Sequence, residues 1–155
     1  MNKQLEQSKL FARVRDENFS LYEYYARAHG MHSKSLLILM WIYYTPAGIS
    51  QHTICKKTYS TKQVVSATIK AFLQKGHVYF EADSLDKRAK KIKLTPEGHQ
   101  FASGVLDELE AAEVAAMKKL SDDQRSYLIE SLSLFNQHFK EALAHTLAPK
   151  KEADQ

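Results

Sequence analysis

The chain has 155 residues, of which 44% are hydrophobic and 26% charged, with a formal net charge of +4. This ordinary globular composition excludes wholesale disorder and allows one domain, or one domain with helical extensions, that buries a real core. The longest apolar run, Leu36 to Tyr44, is too short to cross a bilayer, and a single cysteine, Cys55, excludes an internal disulfide and a cysteine-based zinc cage. With no apolar signal segment at the N-terminus, we expect a cytoplasmic protein with no membrane partner.

The N-terminal part is predicted to form two helices. Apolar residues recur at helical spacing through a polar stretch from about residue 2 to 28, at Leu10, Val14, Leu21 and Tyr25. Gly30 should end this helix, and Ser33 should cap a second one. The body of the second helix, LLILMWIYY, is apolar on nearly every side, so we expect it to run through the core until Pro46.

Two shorter helices joined by a tight turn are predicted next. Ser50 can cap the first, which should run through about Lys57. Ser60 and Gln63 have the spacing of a capping box for the second, which Gly76 should end. Four apolar residues form its inward stripe: Val65, Ile69, Phe72 and Leu73. The side chains left outside are Thr61, Lys62, Gln63, Ser66 and Lys70.

This arrangement is typical of a helix-turn-helix, in which the second helix enters the major groove of DNA. Gln can pair with adenine, Lys can contact guanine edges or phosphate, and the amide groups at a capped helix N-terminus can hold a phosphate. Many small helical pairs share the pattern, so the residues that follow it carry much of the inference.

A β-hairpin is predicted after the second helix. HVYFEAD and KIKLT alternate apolar and polar residues as paired strands do, and SLDKRAK forms the tip between them. From Ser50 to Gly98 the chain has ten Lys or Arg against four Asp or Glu. Such a basic segment is typical of a nucleic-acid-binding module in which the hairpin is a wing that reaches phosphates or the narrow minor groove. The alternative is a solvated basic face with no ligand.

Two long helices are expected at the C-terminal end. Thr95 and Pro96 are suited to open the first, and Ser121 with Gln124 forms a capping box for the second. An apolar stripe runs along the last helix: Tyr127, Leu128, Leu132, Phe135, Phe139 and Leu143. The central domain is too small to cover such a stripe, which favours a partner chain; an intramolecular helical bundle is the alternative.

The run from about Ile49 to Gly98 resembles the winged helix-turn-helix of the multiple-antibiotic-resistance regulator (MarR) family. The most specific element is the wing pattern of Asp, any residue and Arg, then a strand ending Leu-Thr-x-x-Gly, which Asp86, Arg88, Leu94, Thr95 and Gly98 match in order. The resemblance implies a mainly α fold with a small β-hairpin, in which a winged helix-turn-helix is flanked by long terminal dimerisation helices. It also implies a homodimeric DNA-binding transcription regulator, with Arg88 in the minor groove and Asp86 orienting it.

The resulting division of the chain has four parts. Residues 1–48 are expected to serve the core and dimer interface, 49–98 to bind DNA, 99–148 to dimerise, and 149–155 to form a flexible tail. The predicted DNA-binding residues are Ser60, Thr61, Lys62, Gln63, Ser66, Lys70, Asp86, Lys87, Arg88, Lys90 and Lys91. The predicted dimer contacts are Leu10, Leu128, Leu132, Phe135, Phe139 and Leu143.

A pocket for a small aromatic or amphipathic effector is a further hypothesis, and its location is one the resemblance suggests. Its candidate residues, which ordinary core packing explains equally well, are Tyr22, Tyr25, His29, His32, Trp41 and Tyr44. His29 and His32 have metal-ligand spacing, but Gly30 interrupts the helix between them, so we expect no metal and no cofactor. Cys55 could be a redox switch beside His52, although a buried cysteine in the helix-turn-helix core is the better interpretation.

The function predicted from these features is a sequence-specific, duplex-DNA-binding regulator, a dimeric repressor that binds an inverted repeat and is released by an effector. An enzyme is disfavoured because no phosphate-binding glycine loop, metal-ligand cluster or nucleophile in a recognisable context occurs in the sequence. The alternative is a winged-helix adaptor that binds protein or RNA.

Overall fold

The computed structural model describes residues 2–86 and 88–148, so the predicted tail lies outside the described residues. Six helices and two strands follow one another in the order α1 (Lys3–Ala28), α2 (Ser33–Tyr43), α3 (Gln51–Thr58), α4 (Lys62–Gln74), β1 (Val78–Ala82), β2 (Lys90–Leu94), α5 (Pro96–Lys118) and α6 (Asp122–Leu147). The predicted mainly α fold with a small hairpin is confirmed. Among the described residues, no helix is long and apolar enough to span a bilayer.

The chain divides into two compact units, the first ending at Glu108 and the second beginning at Leu109. The first unit contains α1 to α4 and the hairpin, and α5 begins in it. The second unit contains the end of α5 and all of α6. No residue of α6 is buried in the described chain.

Helix α2 is the centre of the first unit, as its composition predicts. Leu36, Ile38, Leu39 and Ile42 are buried, and the helix packs against α1, α3, α4 and β2. Burial of one such aliphatic side chain stabilises a fold by about 1.5–3 kcal/mol. The helices that carry the predicted site are therefore fixed to a common apolar core.

Several predicted caps are confirmed, because each depends on residues close in the chain. The Ser50 side chain accepts from the Thr53 amide, and Thr95 Oγ1 accepts from the Gly98 amide. Ser121 and Gln124 form the reciprocal capping box.

Two other predicted caps are wrong. Thr61, not Ser60, caps α4 by accepting from the Val64 amide, because the Ser60 hydroxyl is already bonded to Thr58 in the preceding turn. Ser33 does not cap α2 either. Its own amide donates to the Glu23 carboxylate of α1, so a side chain ten positions earlier satisfies this helix start.

Two predicted burials are also wrong, for one geometric reason. Leu73 is exposed although Val65, Ile69 and Phe72 are buried. Cys55 is half-buried, and the buried residues of α3 are Ile54 and Thr58. Each misplaced residue directly follows a buried one, and consecutive helical residues point about 100° apart.

Candidate nucleic-acid interface

The turn between α3 and α4 is held by buried polar contacts. The Thr58 hydroxyl donates to the Ile54 carbonyl at 2.7 Å, and Lys34 Nζ of α2 donates to the Thr58 carbonyl at 3.0 Å. Tyr59 follows with the left-handed backbone conformation, φ 51° and ψ 42°. The turn therefore fixes the direction in which α4 leaves α3.

Helix α4 buries one face and exposes the other. Val65, Thr68, Ile69 and Phe72 face the core. The outward residues Gln63, Ala67 and Lys70 are exposed at the i, i+4, i+7 spacing of one helical face. Lys62 is exposed beside them. Ser66 is half-buried, and its hydroxyl donates to Gln51 Oε1 of α3 at 3.3 Å. An outward face of this kind suits contact with base edges in the major groove.

Strands β1 and β2 form the predicted antiparallel hairpin. Val78 pairs with Leu94 at the base, and Ala82 pairs with Lys90 near the tip. An isolated bridge between Ile49 and Ile92 connects the hairpin to the loop before α3. We call residues 78–94 the wing, and this bridge ties the wing to the helix-turn-helix.

Asp86 organises the tip of the wing through the backbone. Its Oδ1 accepts from the Arg88 amide at 3.0 Å, and its carbonyl accepts from the Ala89 amide at 3.0 Å. The Arg88 side chain is exposed and forms no ion pair within residues 2–86 and 88–148. Asp86 thus fixes the Arg88 main chain and leaves the guanidinium free to meet a ligand. Lys87, also predicted to bind DNA, lies outside the described residues.

The other described cations of the wing, Lys90, Lys91 and Lys93, lie in different local environments. Lys93 Nζ pairs with Glu81 Oε2 at 3.0 Å, and this hydrogen bond raises the pKa of Lys93. Lys90 Nζ lies 5.5 Å from the centre of the Phe80 ring and is exposed. Lys91 is half-buried and packs near Gly48, where an added Cβ would come within 2.8 Å of Lys91 Cβ. Arg88 and Lys90 are therefore the wing cations most available to phosphate among those described.

The junction between the wing and α5 explains the Leu-Thr-x-x-Gly pattern. Thr95 Oγ1 donates to the Gly76 carbonyl at 2.6 Å while accepting from the Gly98 amide. A Cβ on Gly98 would lie 1.8 Å from the His77 carbonyl oxygen, so only glycine fits. His77 stacks on Phe101 at 4.4 Å, and burial lowers the His77 pKa.

The predicted effector residues do not all surround one cavity. Trp41 lines a cleft of about 350 Å³ together with Lys57, Asp83 and Lys91, and the Lys57 ammonium lies 5.3 Å from the Trp41 ring centre. The remaining five residues, which are absent from this lining, are Tyr22, Tyr25, His29, His32 and Tyr44.

Several of these five residues form hydrogen bonds or ring contacts within the first unit. The Tyr25 hydroxyl donates to the Val105 carbonyl at 2.6 Å, and burial raises the Tyr25 pKa. His29 lies 4.5 Å from the Tyr25 ring, and Tyr44 lies edge-on to Tyr43. His32 Nδ1 contacts Glu23 Oε1 at 3.2 Å. No group of three His, Cys, Asp or Glu in the described part of the chain is placed to hold a metal ion.

The predicted dimer contacts are all exposed in the single chain. Their exposed fractions range from 41% to 58%, at Leu10, Leu128, Leu132, Phe135, Phe139 and Leu143. The intramolecular bundle would require α6 to bury apolar residues, and it buries none.

Three features were missed by the sequence patterns. Val64 and Ala67 place apolar groups on the exposed side of α4, where they could contact thymine methyl groups. Tyr59 is 95% exposed in the turn before α4. In addition, no Asp or Glu occurs between Glu23 and Glu81, and this acid-free stretch was a readable signal that the whole helix-turn-helix suits a polyanion.

Residues 29–89 match the model of the MarR family. No protein with a curated description matches the sequence. Among solved structures, the chain is similar to a MarR family regulator from Neisseria meningitidis, with 18% identity over 94% of this chain and 99% of that one and a TM-score of 0.76. It is similar to MepR of Staphylococcus aureus in complex with DNA, with 20% identity, coverage of 84% and 96%, and a TM-score of 0.71. The transcriptional regulator SlyA matches with 20% identity, coverage of 94% and 99%, and a TM-score of 0.68.

These comparisons confirm the MarR-family resemblance and the winged helix-turn-helix fold. The solved structures that share this fold are described as transcription regulators.

Proposed function

We propose, from the MarR-family similarity of residues 29–89, that this chain is a dimeric, sequence-specific transcription regulator that represses by covering promoter DNA. One observation carries the proposal: α4 presents an outward face with Gln63 and Lys70 while Asp86 holds an unpaired Arg88 at the tip of the adjoining wing. The solved structure of MepR in complex with DNA, to which this chain is similar in fold, supports DNA as the ligand.

The proposed mode of binding uses both grooves. Helix α4 enters the major groove, where Gln63 pairs with a base edge and Lys62 or Lys70 meets bases or phosphate. Ser60, Thr61 and the amide groups at the start of α4 lie beside a phosphate. Arg88 enters the minor groove, whose negative potential favours arginine, and Lys90 contacts the flanking backbone. Lys91 and Lys93 contribute less, since the first is half-buried and the second is paired with Glu81.

Dimerisation is proposed through the apolar stripe of α6. Because α6 buries no residue in the single chain, a second copy is the natural cover for Leu128, Leu132 and Phe135. A twofold dimer places two α4 helices on one face of DNA, about 34–36 Å apart. The operator is then an inverted repeat. In this proposal residues 49–98 bind DNA, residues 1–48 serve the core and the dimer interface, and residues 99–148 dimerise. We expect such a protein in the cytoplasm.

Release by a small aromatic or amphipathic effector is proposed to act through the cleft at Trp41. The cleft is lined by Lys57 of α3 and by Asp83 and Lys91 of the wing, so an occupant would change how the wing sits against the helix-turn-helix. Trp41 is the single tryptophan of the chain. Its fluorescence therefore reports occupancy directly in a titration with candidate effectors.

Selection of binding sites from a genomic duplex pool tests the function. The parent protein should retain an inverted repeat, with affinity that falls as salt rises. Gln63→Ala should relax preference at one or two positions in each half-site, whereas Lys70→Ala should weaken all sequences alike. Inserting about five base pairs between half-sites should nearly abolish binding, because half a helical turn rotates one site away.

Two results would count against the regulator. Identical selected sequences for the parent and both variants would show that α4 does not read bases. Failure to retain duplex DNA, with retention of RNA or a protein partner, would favour the adaptor function.

A further inference from the structure

Tyr59, between α3 and α4, combines two features that cost free energy in the isolated chain. Its backbone is left-handed at φ 51°, the sole positive φ of a non-glycine residue in the described ranges. Its side chain is 95% exposed. Within those same ranges it forms no hydrogen bond, ion pair or ring contact through the side chain. Non-glycine residues held in this conformation cluster at functional sites.

The geometry of the turn does not account for a tyrosine. The Cys55 carbonyl accepts from the Ser60 amide at 3.0 Å, and the Thr58 hydroxyl bonds to Ile54 and Ser60. Within this hydrogen-bonded turn, position 59 has the left-handed conformation. Glycine would adopt it without a steric penalty and would expose no aromatic ring.

The surroundings of Tyr59 are complementary to a polyanion. Lys56 and Lys57 form the last turn of α3, and Lys62 opens α4. The Lys34 ammonium donates to the carbonyl of Thr58, the preceding residue, at 3.0 Å. No acid occurs in the sequence between Glu23 and Glu81, and within the described residues Lys56, Lys57 and Lys62 form no ion pair.

We propose that Tyr59 is a positioning residue that clamps the DNA backbone beside the recognition helix. Its ring packs against a deoxyribose, and its hydroxyl donates to a phosphate oxygen next to the N-terminus of α4, which sets how α4 enters the groove. The inference rests on the proposed function and adds a contact that carries no charge. Phosphate contacts of this kind position a protein on duplex DNA without reading sequence.

The neutral hydroxyl gives the proposal a distinctive signature. Cationic contacts release counterions, so their loss makes the dependence of affinity on salt shallower. Loss of the Tyr59 hydroxyl should lower affinity while leaving that dependence unchanged. Because a phosphate contact is sequence-independent, the selected sequence should also remain the same.

The test compares Tyr59→Phe and Tyr59→Gly with Tyr24→Phe, which removes an exposed hydroxyl from α1. Affinity of the full chain for its selected duplex is measured across a salt series, with thermal unfolding of each variant. Tyr59→Phe should bind about 10- to 100-fold more weakly, the effect of losing one hydrogen bond from a neutral donor to a charged phosphate, with an unchanged salt slope. Tyr59→Gly should bind more weakly still but unfold at an equal or higher temperature, and Tyr24→Phe should match the parent.

Other outcomes overturn the proposal in separable ways. Parental affinity in both Tyr59 variants, or an altered salt slope in Tyr59→Phe, rules out the neutral clamp while the parent still binds DNA. A lower unfolding temperature in Tyr59→Gly assigns the residue to the fold. A parent protein that binds no duplex removes the proposed function and this inference together.

Discussion

At the scale of single residues, Gly98 is required for steric reasons, because the backbone of His77 leaves no room for a side chain at this position. Gly98 lies in the first turn of α5, against the backbone of His77, and Thr95 makes two hydrogen bonds at the same junction. The end of the wing is therefore fixed by backbone approach. A motif associated with DNA binding is, at this position, a packing requirement for holding the wing.

Two glycines of α5 offer a matched test of this role. Gly98→Ala should destabilise the protein by about 3 kcal/mol, because its Cβ would overlap a carbonyl oxygen that cannot move freely. Gly104→Ala, with nothing within 4 Å of its Cβ, should instead stabilise by about 0.5–1 kcal/mol through helix propensity. Urea unfolding measures both. Equal effects of the two substitutions would contradict the steric explanation.

Among the described wing residues, we expect the charge of Arg88 to contribute most to DNA binding. Arg88→Ala should weaken binding to the operator by about 1–3 kcal/mol and make the log-affinity against log-salt slope shallower by about one unit. Fluorescence anisotropy across a salt series measures both values. Arg15→Ala, which removes an arginine already paired with Asp16, is the control. An unchanged slope in the Arg88 variant would remove the wing from the interface.

At the scale of elements, the junction of α1 and α2 depends on one carboxylate. Glu23 accepts from the Ser33 amide at 2.8 Å and pairs with Arg27 at 3.0 Å. The Ser33 backbone hydrogen bond is the largest of the causes that lower the pKa of Glu23 from 4.5 to about 2. The start of the core helix is thus secured by the helix before it.

This junction makes stability depend on pH in a defined window. Since the folded pKa of Glu23 lies below its ordinary value, its contribution is complete above pH 4.5 and is lost as pH falls toward about 2. Glu23→Gln should therefore be less stable than the parent at neutral pH, and the difference should shrink across that window. Thermal unfolding at several pH values measures it, with Glu17→Gln of α1 as the control. A difference that does not vary with pH would contradict the assignment.

At the scale of the whole molecule, the proposed dimer requires one face of α6. Leu132→Glu should place a charge in the covered stripe, convert the dimer to a monomer in light scattering, and weaken operator binding about 100-fold or more. Leu134→Glu makes the same change about 200° around the helix and should leave both measurements unchanged. A monomeric parent, or equal effects of the two variants, would contradict the dimer.

Some features of the candidate site could be predicted from local sequence patterns, and others could not. The patterns predicted the wing, the outward face of α4 and the arginine at the wing tip, because charge and alternation are properties of short segments. They did not identify Tyr59, because its exposure and left-handed backbone are evident only in the folded turn, where Thr58 bonds to Ile54 and Ser60. The predicted DNA, effector and dimer contacts remain predictions for the experiments above.

The sequence by itself determined the features whose causes are local. The apolar body of α2 required burial, the Ser121 capping box started α6, and the alternation around Ile92 formed a hairpin. Tertiary structure decided the features that depend on partners distant in the chain. The Glu23 carboxylate, and not the Ser33 side chain, accepts the hydrogen bond at the start of α2. Glu81 forms an ion pair with Lys93, which leaves this lysine less available to a ligand than its place in the basic cluster suggests. A hydrogen bond or ion pair between separated residues exists only once folding has brought them together, so no local pattern encodes it.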